Sequence, residues 1–228
     1  MADQNTLKRL AAERAVSFIQ SGMVVGLGHG STSLLAVHAL AERLERGEVR
    51  DLVAIPCSPE IEAEARKLGI TITTLEENPQ IDLTVDGADE VDPQLNLIKG
   101  GGGALLREKI VAQASEREII MVDESKLSPK LGTRWAVPVE VLEYGLRSQR
   151  EFIESIGGMP VLRLAAGAPF RTASANLILD CNFGPISDPR GLAIALKQRT
   201  GIIEHGLFVG MATEVVVAGT DGVRVMTR

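Results

Sequence analysis

The sequence predicts an α/β fold in which a parallel sheet is flanked by helices and a smaller α+β domain is inserted. Apolar runs alternate with amphipathic helix patterns over residues 1–130, which is typical of βαβ units and predicts a Rossmann-like parallel sheet. Residues 131–205 follow the order strand, helix, strand, strand, helix, strand, which indicates a ferredoxin-like unit. We therefore expect an α/β domain formed by residues 1–130 and 206–228 and a smaller α+β domain formed by residues 131–205.

The elements of the larger domain follow from apolar periodicity and from the glycine or proline residues at their ends. Apolar residues at helical spacing predict a first helix over residues 6–21, which Gly22 ends. Short continuous apolar runs predict buried strands. The strands are expected at residues 23–27, 52–55, 70–75, 83–85 and 118–122, and the later helices at residues 32–46, 59–68 and from residue 104 onward.

The smaller domain and the tail are predicted by the same signals. Strands are expected at residues 136–141, 161–164 and 176–181, and helices at residues 146–156 and 190–199. The tail over residues 207–225 is rich in strand-forming residues and has turns at Gly219 and Asp221-Gly222. We expect it to rejoin the first sheet.

Composition and charge argue against several classes of protein. The chain has 228 residues and a net charge of −6, so nucleic acid and anionic membranes are not expected partners. No apolar run has the length of a membrane span, and none follows the first charges as in a signal peptide. Two cysteines make no disulfide framework, which favours the cytoplasm. The three histidines lack the spacing of a zinc site, so no metal is expected.

A glycine-rich turn, Gly26-Leu-Gly28-His29-Gly30-Ser31-Thr32, follows the first predicted strand. It is not a dinucleotide fingerprint, because Ser31 stands where the third glycine would be, and no Walker lysine follows. Its position before a helix favours a small phosphate, to which the hydroxyls of Ser31 and Thr32 would donate. Lys8 and Lys126 are candidates for the matching positive charge. The alternative is a tight turn in which Ser31 or Thr32 caps the helix.

An acidic turn, Asp86-Gly87-Ala88-Asp89-Glu90-Val-Asp92, follows another predicted buried strand. Asp86 emerges at the carboxyl end of that strand, where α/β sheets bind ligands. Three spaced acids would also suit Mg²⁺ or Ca²⁺, which is the natural alternative. A turn held by the hydrogen bonds of aspartate side chains is a third interpretation, and it fits Asp92, which precedes a proline.

Four consecutive glycines lie between Lys99 and a predicted helix that contains Glu108. Ordering four glycines is entropically costly, so such a run favours a place where backbone N–H groups approach an anionic ligand. Glu108 would lie about one turn into the helix, near that cradle, and is a candidate acid or base; the alternative is that it only complements the helix dipole. The glycines are Gly100, Gly101, Gly102 and Gly103.

Together these motifs resemble type A ribose-5-phosphate isomerase along essentially the whole chain. Further matching segments are Asp123-Glu-Ser-Lys126, Val137-Pro-Val-Glu140 and Gly219-Thr-Asp-Gly222. The chain departs from the family at His29, where members often have threonine. The resemblance implies the α/β domain to be catalytic, reversible conversion of D-ribose 5-phosphate to D-ribulose 5-phosphate in the pentose phosphate pathway, no metal or organic cofactor, and a homodimer or homotetramer.

The resemblance also implies roles for individual residues. Glu108 would be the base that moves a proton between C1 and C2 through an enediolate, with Asp86, Asp89 and Lys99 beside it. The expected substrate-binding residues are Ser31, Thr32, Lys126 and Lys8 at the phosphate, together with Gly28, His29, Gly30, Gly87, Ala88, Gly100, Gly101, Gly102 and Gly103.

Other functions share the predicted fold and stay open at this point. A coenzyme A transferase would use a glutamate as a covalent nucleophile. A sugar-phosphate-sensing regulator would need a DNA-binding segment, and only about twenty residues precede the first predicted strand, too few for a helix-turn-helix. An amino-sugar phosphate deaminase is a further alternative, and the non-enzymatic one is a metal-binding or sugar-phosphate-binding protein without turnover.

Overall fold

The computed structural model describes residues 3–228, which form two compact units. The first contains the described residues up to Ala88 with Arg107–Lys126 and Met211–Arg228. The second contains Asp89–Leu106 with Leu127–Gly210. The ranges predicted from the sequence place residues 89–106 with the α/β domain, whereas strands within this segment pair with a strand of the second unit. The division of the chain into domains stays a prediction.

The first unit is built on a six-stranded sheet. In chain order its strands are β1 (Val24–Leu27), β2 (Val53–Pro56), β3 (Ile81–Gly87), β6 (Ser115–Asp123), β14 (Glu214–Gly219) and β15 (Gly222–Thr227). In the sheet they lie in the order β15-β14-β6-β3-β1-β2. Every neighbouring pair is parallel except β14 with β15, so the predicted parallel sheet and the return of the tail to it are both confirmed.

Helices cover this sheet. They are α1 (Gln4–Val16), α2 (Ser31–Glu45), α3 (Pro59–Lys67) and α4 (Leu105–Ala114). Aliphatic side chains of α1, α2 and α3 form one core cluster with Val25, Leu27, Leu83 and Val85 of the sheet, all of them buried. Each large aliphatic side chain buried in this way stabilises the fold by roughly 1.5–3 kcal/mol.

Two predicted elements of this unit differ from the structure. Residues 70–75 do not form a third strand: only Ile72 makes a bridge, to Ala54. The hydroxyl of Thr73 instead donates to Glu77 at 2.8 Å and accepts from Asn78 at 2.7 Å, so side-chain hydrogen bonds turn the chain away from the sheet. The first helix is also shorter than predicted, because after Val16 the chain tightens into i to i−3 hydrogen bonds.

In the described part of the chain, the second unit contains nine strands and two helices. The strands are β4 (Glu90–Val91), β5 (Leu97–Ile98), β7 (Val137–Val141), β8 (Met159–Leu162), β9 (Leu164–Ala165), β10 (Ala168–Pro169), β11 (Leu177–Asn182), β12 (Ile202–His205) and β13 (Leu207–Phe208), and the helices are α5 (Leu146–Ser155) and α6 (Pro189–Lys197). Four of the strands form an antiparallel sheet in the order β12-β7-β11-β8. Numbered along the chain within this sheet, the order is 4-1-3-2, that of a ferredoxin-like fold. The hairpin β9-β10 and a three-stranded sheet, β13-β5-β4, complete the unit.

Candidate active site

Asp86 lies buried at the carboxyl end of β3, in close contact with the first glycine turn. Its Oδ1 accepts hydrogen bonds from the amide of His29 and from the hydroxyl of Ser33, each at 3.2 Å. A Cβ atom at Gly28 would lie 1.9 Å from the same oxygen. Gly28 is therefore required by the close approach of a carboxylate. The structure brings Asp86 and the first glycine turn together, as their positions after neighbouring strands suggest.

Glu108 is buried in the first turn of α4, with 4 % of its surface exposed. Val111, three residues later on the same helix face, packs against β1, because a Cβ at Gly26 would lie 2.9 Å from its side chain. The helix ends at Ala114, and the next residue, Ser115, pairs with Ile81 at the start of β3. The last turn of α4 therefore lies at the amino ends of the strands, and its first turn lies toward their carboxyl ends. Glu108 and Asp86 therefore share one edge of the sheet.

The turn that precedes α2 combines a helix N-terminus, a hydroxyl and an ammonium group. Gly30, with φ of +100°, is the N-cap residue and makes no side-chain cap, so the alternative in which Ser31 or Thr32 caps the helix is wrong. The Oγ of Ser31 instead accepts a hydrogen bond from Lys8 Nζ at 3.1 Å. This grouping suits a phosphate, because unpaired amides, the helix dipole and a lysine all favour negative charge.

The imidazole of His29 is directed at α3. Its Nδ1 lies 2.9 Å from Oγ of Ser58, the N-cap residue of α3, which also accepts from the amide of Ile61 at 3.3 Å. His29 thus links the glycine turn to a neighbouring helix. No motif in the sequence indicates this contact.

Lys126 ends a short 3-10 helix, Glu124–Lys126, that Asp123 organises. The carboxylate of Asp123 accepts from the amide of Ser125 at 3.0 Å and from its hydroxyl, and from the amide group of Gln4 at 3.4 Å. Burial raises the pKa of Asp123, but these hydrogen bonds and the charge of Lys126 outweigh it and leave the pKa below its ordinary value.

We expect Asp123→Asn to reduce stability most clearly at neutral pH. Because the folded pKa of Asp123 is lowered, its carboxylate stabilises the fold above the unfolded pKa, and this contribution is lost as pH falls through the folded value. The neutral variant should lose of the order of 1 kcal/mol at pH 7 and approach the wild-type free energy of unfolding at low pH. Urea unfolding at several pH values measures this. Asp51→Asn, at an exposed aspartate, is the control; equal losses at all pH values would contradict the prediction.

The acidic turn continues into the second unit, where its carboxylates bind backbone amides. Asp92 accepts from the amides of Gln94 and Asn96, each at 2.9 Å, so its interpretation as a turn-forming aspartate is confirmed. Glu90 accepts from three amides of the loop that starts at Gly132, a role that sequence analysis missed. Within residues 3–228, no three His, Cys, Asp or Glu side chains cluster in a way that would hold a metal ion.

The glycine run uses two of its four amides within the second unit. Gly101 donates to Oδ2 of Asp89 at 2.7 Å, and Gly103 donates to the carbonyl of Gly100 at 2.9 Å. Across the described part of the chain, no group accepts from the exposed amide of Gly102. Lys99, just before the run, is 2 % exposed, with its Nζ 5.4 Å from the centre of the Phe208 ring. Two of the four amides in the predicted cradle therefore already have an acceptor within the protein.

Comparison with known proteins places these motifs in one family. The model of ribose 5-phosphate isomerase A (phosphoriboisomerase A) matches residues 53–222. The chain belongs to the ribose-5-phosphate isomerase A family. Among curated members, the chain is 56% identical to ribose-5-phosphate isomerase A of Chloroflexus aurantiacus, over 97% of this chain and 93% of that one. It is 53% identical to that of Desulfatibacillum aliphaticivorans, over 99% of both chains.

Solved structures of ribose-5-phosphate isomerases agree with this family assignment. A D-ribose-5-phosphate isomerase in complex with phospho-erythronic acid has a TM-score of 0.97 at 38% identity, and the match covers 100% of both chains. The isomerase of Plasmodium falciparum has a TM-score of 0.95 at 41% identity, covering 98% of this chain and 99% of that one. The predicted family, fold class and isomerase activity are confirmed. No helix in residues 3–228 is long and apolar enough to cross a membrane.

Proposed function

We propose that Glu108 is the base with which this isomerase interconverts D-ribose 5-phosphate and D-ribulose 5-phosphate. The observation that carries the proposal is a pair of buried carboxylates, Glu108 and Asp86, at one edge of the parallel sheet, beside a turn suited to phosphate. A carboxylate held there removes the proton from C2 of the aldose and returns it to C1. The relative solved with phospho-erythronic acid supports an anionic intermediate, since that sugar acid carries a carboxylate besides its phosphate.

Negative charge develops on the oxygens of the enediolate and must be stabilised in the transition state. We assign this task to the ammonium of Lys99 and to backbone amides of the glycine run. A well-placed donor contributes about 3–4 kcal/mol to such a step. Asp86 moves the hydroxyl proton between O1 and O2, and Asp89 acts with Lys99 in opening the furanose ring. The catalytic set is therefore Glu108, Asp86, Asp89 and Lys99.

The remaining residues bind and orient the sugar phosphate. Ser31, Thr32, Lys8 and Lys126 hold the phosphate, which is supported by the hydrogen bond from Lys8 to Ser31 at the start of α2. Binding energy from this distant group orients C1 and C2 for proton transfer. The backbone of the three turns lines the sugar, at Gly28, His29, Gly30, Gly87, Ala88, Gly100, Gly101, Gly102 and Gly103.

We expect Ser31→Ala and Thr32→Ala to weaken substrate binding more than they slow catalysis. Each variant removes one hydroxyl donor to the phosphate and leaves the carboxylates in place, so KM for ribose 5-phosphate should rise about 10-fold, the cost of one hydrogen bond to a charged group. Steady-state kinetics measure this. Ser155→Ala, at an exposed serine of α5, should leave KM unchanged. An unchanged KM in both Ser31→Ala and Thr32→Ala would contradict the phosphate site.

We also propose that the enzyme is cytoplasmic and forms a homodimer or homotetramer. The low cysteine content and the acidic net charge support the first proposal. The family resemblance supports the second. Sedimentation of the purified chain distinguishes dimer from tetramer, and a monomer at working concentrations would overturn the proposed assembly.

The decisive test of function is aldose–ketose conversion of ribose 5-phosphate by the purified chain, with and without coenzyme A. Ketose formation that does not depend on coenzyme A is expected. Turnover only with coenzyme A would favour a transferase. Ligand-induced stabilisation without ketose formation would favour a binding protein.

A further inference from the structure

Arg163, just after β8 in the second unit, holds the backbone of the glycine run. Its Nη1 donates to the carbonyl of Gly100 at 2.9 Å and to that of Gly101 at 3.0 Å. The rest of the guanidinium is fixed by Asp180 of β11, through Nε at 2.9 Å and Nη2 at 2.5 Å. A two-pronged arginine–carboxylate pair of this kind has a defined orientation, and the side chain of Arg163 is 14% exposed. One anchored guanidinium thus determines where two glycine carbonyls point.

Each held carbonyl also determines the direction of the next amide. In a planar trans peptide the N–H group points opposite to the carbonyl. The Gly100 carbonyl points at Arg163, and the following N–H, of Gly101, donates to Asp89 at 2.7 Å. The Gly101 carbonyl also points at Arg163, so the N–H of Gly102 points away from it. That amide is exposed, and residues 3–228 offer it no acceptor.

We propose that Arg163 is a positioning residue that aims the Gly102 amide at an anionic oxygen of the substrate. The inference rests on the proposed function, in which such an oxygen develops on the enediolate. Peptides between glycines reorient easily, because glycine tolerates positive and negative φ alike, and Gly100 already has φ of +103°. Without the guanidinium, the peptide between Gly101 and Gly102 is free to flip and present its carbonyl instead. A donor fixed before the reaction stabilises the transition state without reorganisation.

A second contact also restrains the conformation of the glycine run. The ring of Phe170 lies against Gly103, where a Cβ would be 2.4 Å from the ring edge, and the guanidinium of Arg163 lies 5.7 Å from the centre of that ring. The amide of Phe170 donates to the carbonyl of Arg163 at 2.9 Å. Arg163 and Phe170 thus pack on the two ends of the glycine turn.

The test compares Arg163→Ala, Arg163→Lys and the wild type in the conversion of ribose 5-phosphate. Arg163→Ala should lower kcat about 10²-fold, as loss of an oxyanion donor does, with KM changed less than about threefold. Arg163→Lys keeps the charge but lacks the fork that reaches both carbonyls and Asp180, so its kcat should be intermediate. Added ethylguanidinium should restore part of the kcat of Arg163→Ala, which a variant that is merely misfolded would not show.

Arg171→Ala is the matched control, since Arg171 pairs with Glu143 on the same unit without touching the glycine run. It should keep wild-type kcat. A wild-type chain without conversion would overturn the proposed function and this inference with it. A wild type that converts, with Arg163→Ala equal to Arg171→Ala, would overturn only the inference. Should Arg163→Ala fail to fold, wild-type kcat in Arg163→Lys would overturn it equally.

Discussion

Replacing Glu108 with glutamine is expected to lower kcat about 10⁴-fold, the upper end of what a general base contributes. The change removes the proposed base but keeps the volume of a side chain that is 4 % exposed, so the fold should persist. The turn proposed to bind the phosphate is untouched, and ribose 5-phosphate should still bind. Steady-state kinetics and calorimetric titration with ribose 5-phosphate measure the two effects separately.

The matched control is Glu116→Gln, at an exposed glutamate of β6 that lies two residues beyond the end of α4. It should keep wild-type kcat. A second measurement follows the chemistry itself: in D₂O the wild type should exchange the C1 or C2 hydrogen of the sugar with solvent, and Glu108→Gln should not. Retained exchange in Glu108→Gln would show that another group removes the proton and would refute the assignment.

The parallel sheet and the position of Asp86 at its edge could be predicted from the sequence, because both leave local patterns. Buried parallel strands are short apolar runs, and an acid that ends such a run emerges at the ligand-binding edge, as Asp86 does. The same pattern failed at residues 70–75, where apolar alternation is present but side-chain hydrogen bonds of Thr73 form a turn. Local polar competition of this kind depends on geometry that periodicity does not contain.

The residues that sequence analysis missed act over long separations along the chain. Arg163 reaches Gly100 across 63 positions, and Ser33 reaches Asp86 across 53. Neither residue belongs to a motif, so only the fold reveals the contact. The glycine run shows the converse: four glycines predict a broad cradle, but two of the amides are already bound, to Asp89 and to Gly100. The glycine motif thus indicated where a ligand would approach the backbone, but it did not determine how many amides are available to donate to that ligand.

Gly28→Ala is expected to impair both stability and catalysis through one collision. The new Cβ would lie 1.9 Å from Oδ1 of Asp86 and 2.5 Å from its Cβ. Rotating the carboxylate relieves only the first contact, so the end of β3 must shift as well. Overpacking of this kind costs about 1–3 kcal/mol of the free energy of unfolding. If Asp86 transfers the hydroxyl proton as proposed, its displacement should lower kcat about 10²-fold. Urea unfolding and steady-state kinetics measure the two losses.

A double-mutant cycle with Asp86→Asn tests whether the collision acts through that carboxylate. If Gly28→Ala slows catalysis by displacing Asp86, adding it to Asp86→Asn should cost little further kcat, because the group it displaces has already lost its function. Gly87→Ala is the control for stability, since the nearest atom to its Cβ would be Thr32 Cβ at 3.9 Å, an ordinary contact. Fully additive losses of kcat in the double variant would mean that Gly28 matters for another reason, such as backbone approach to the sugar, and that Asp86 does not act from the position in which the structure holds it.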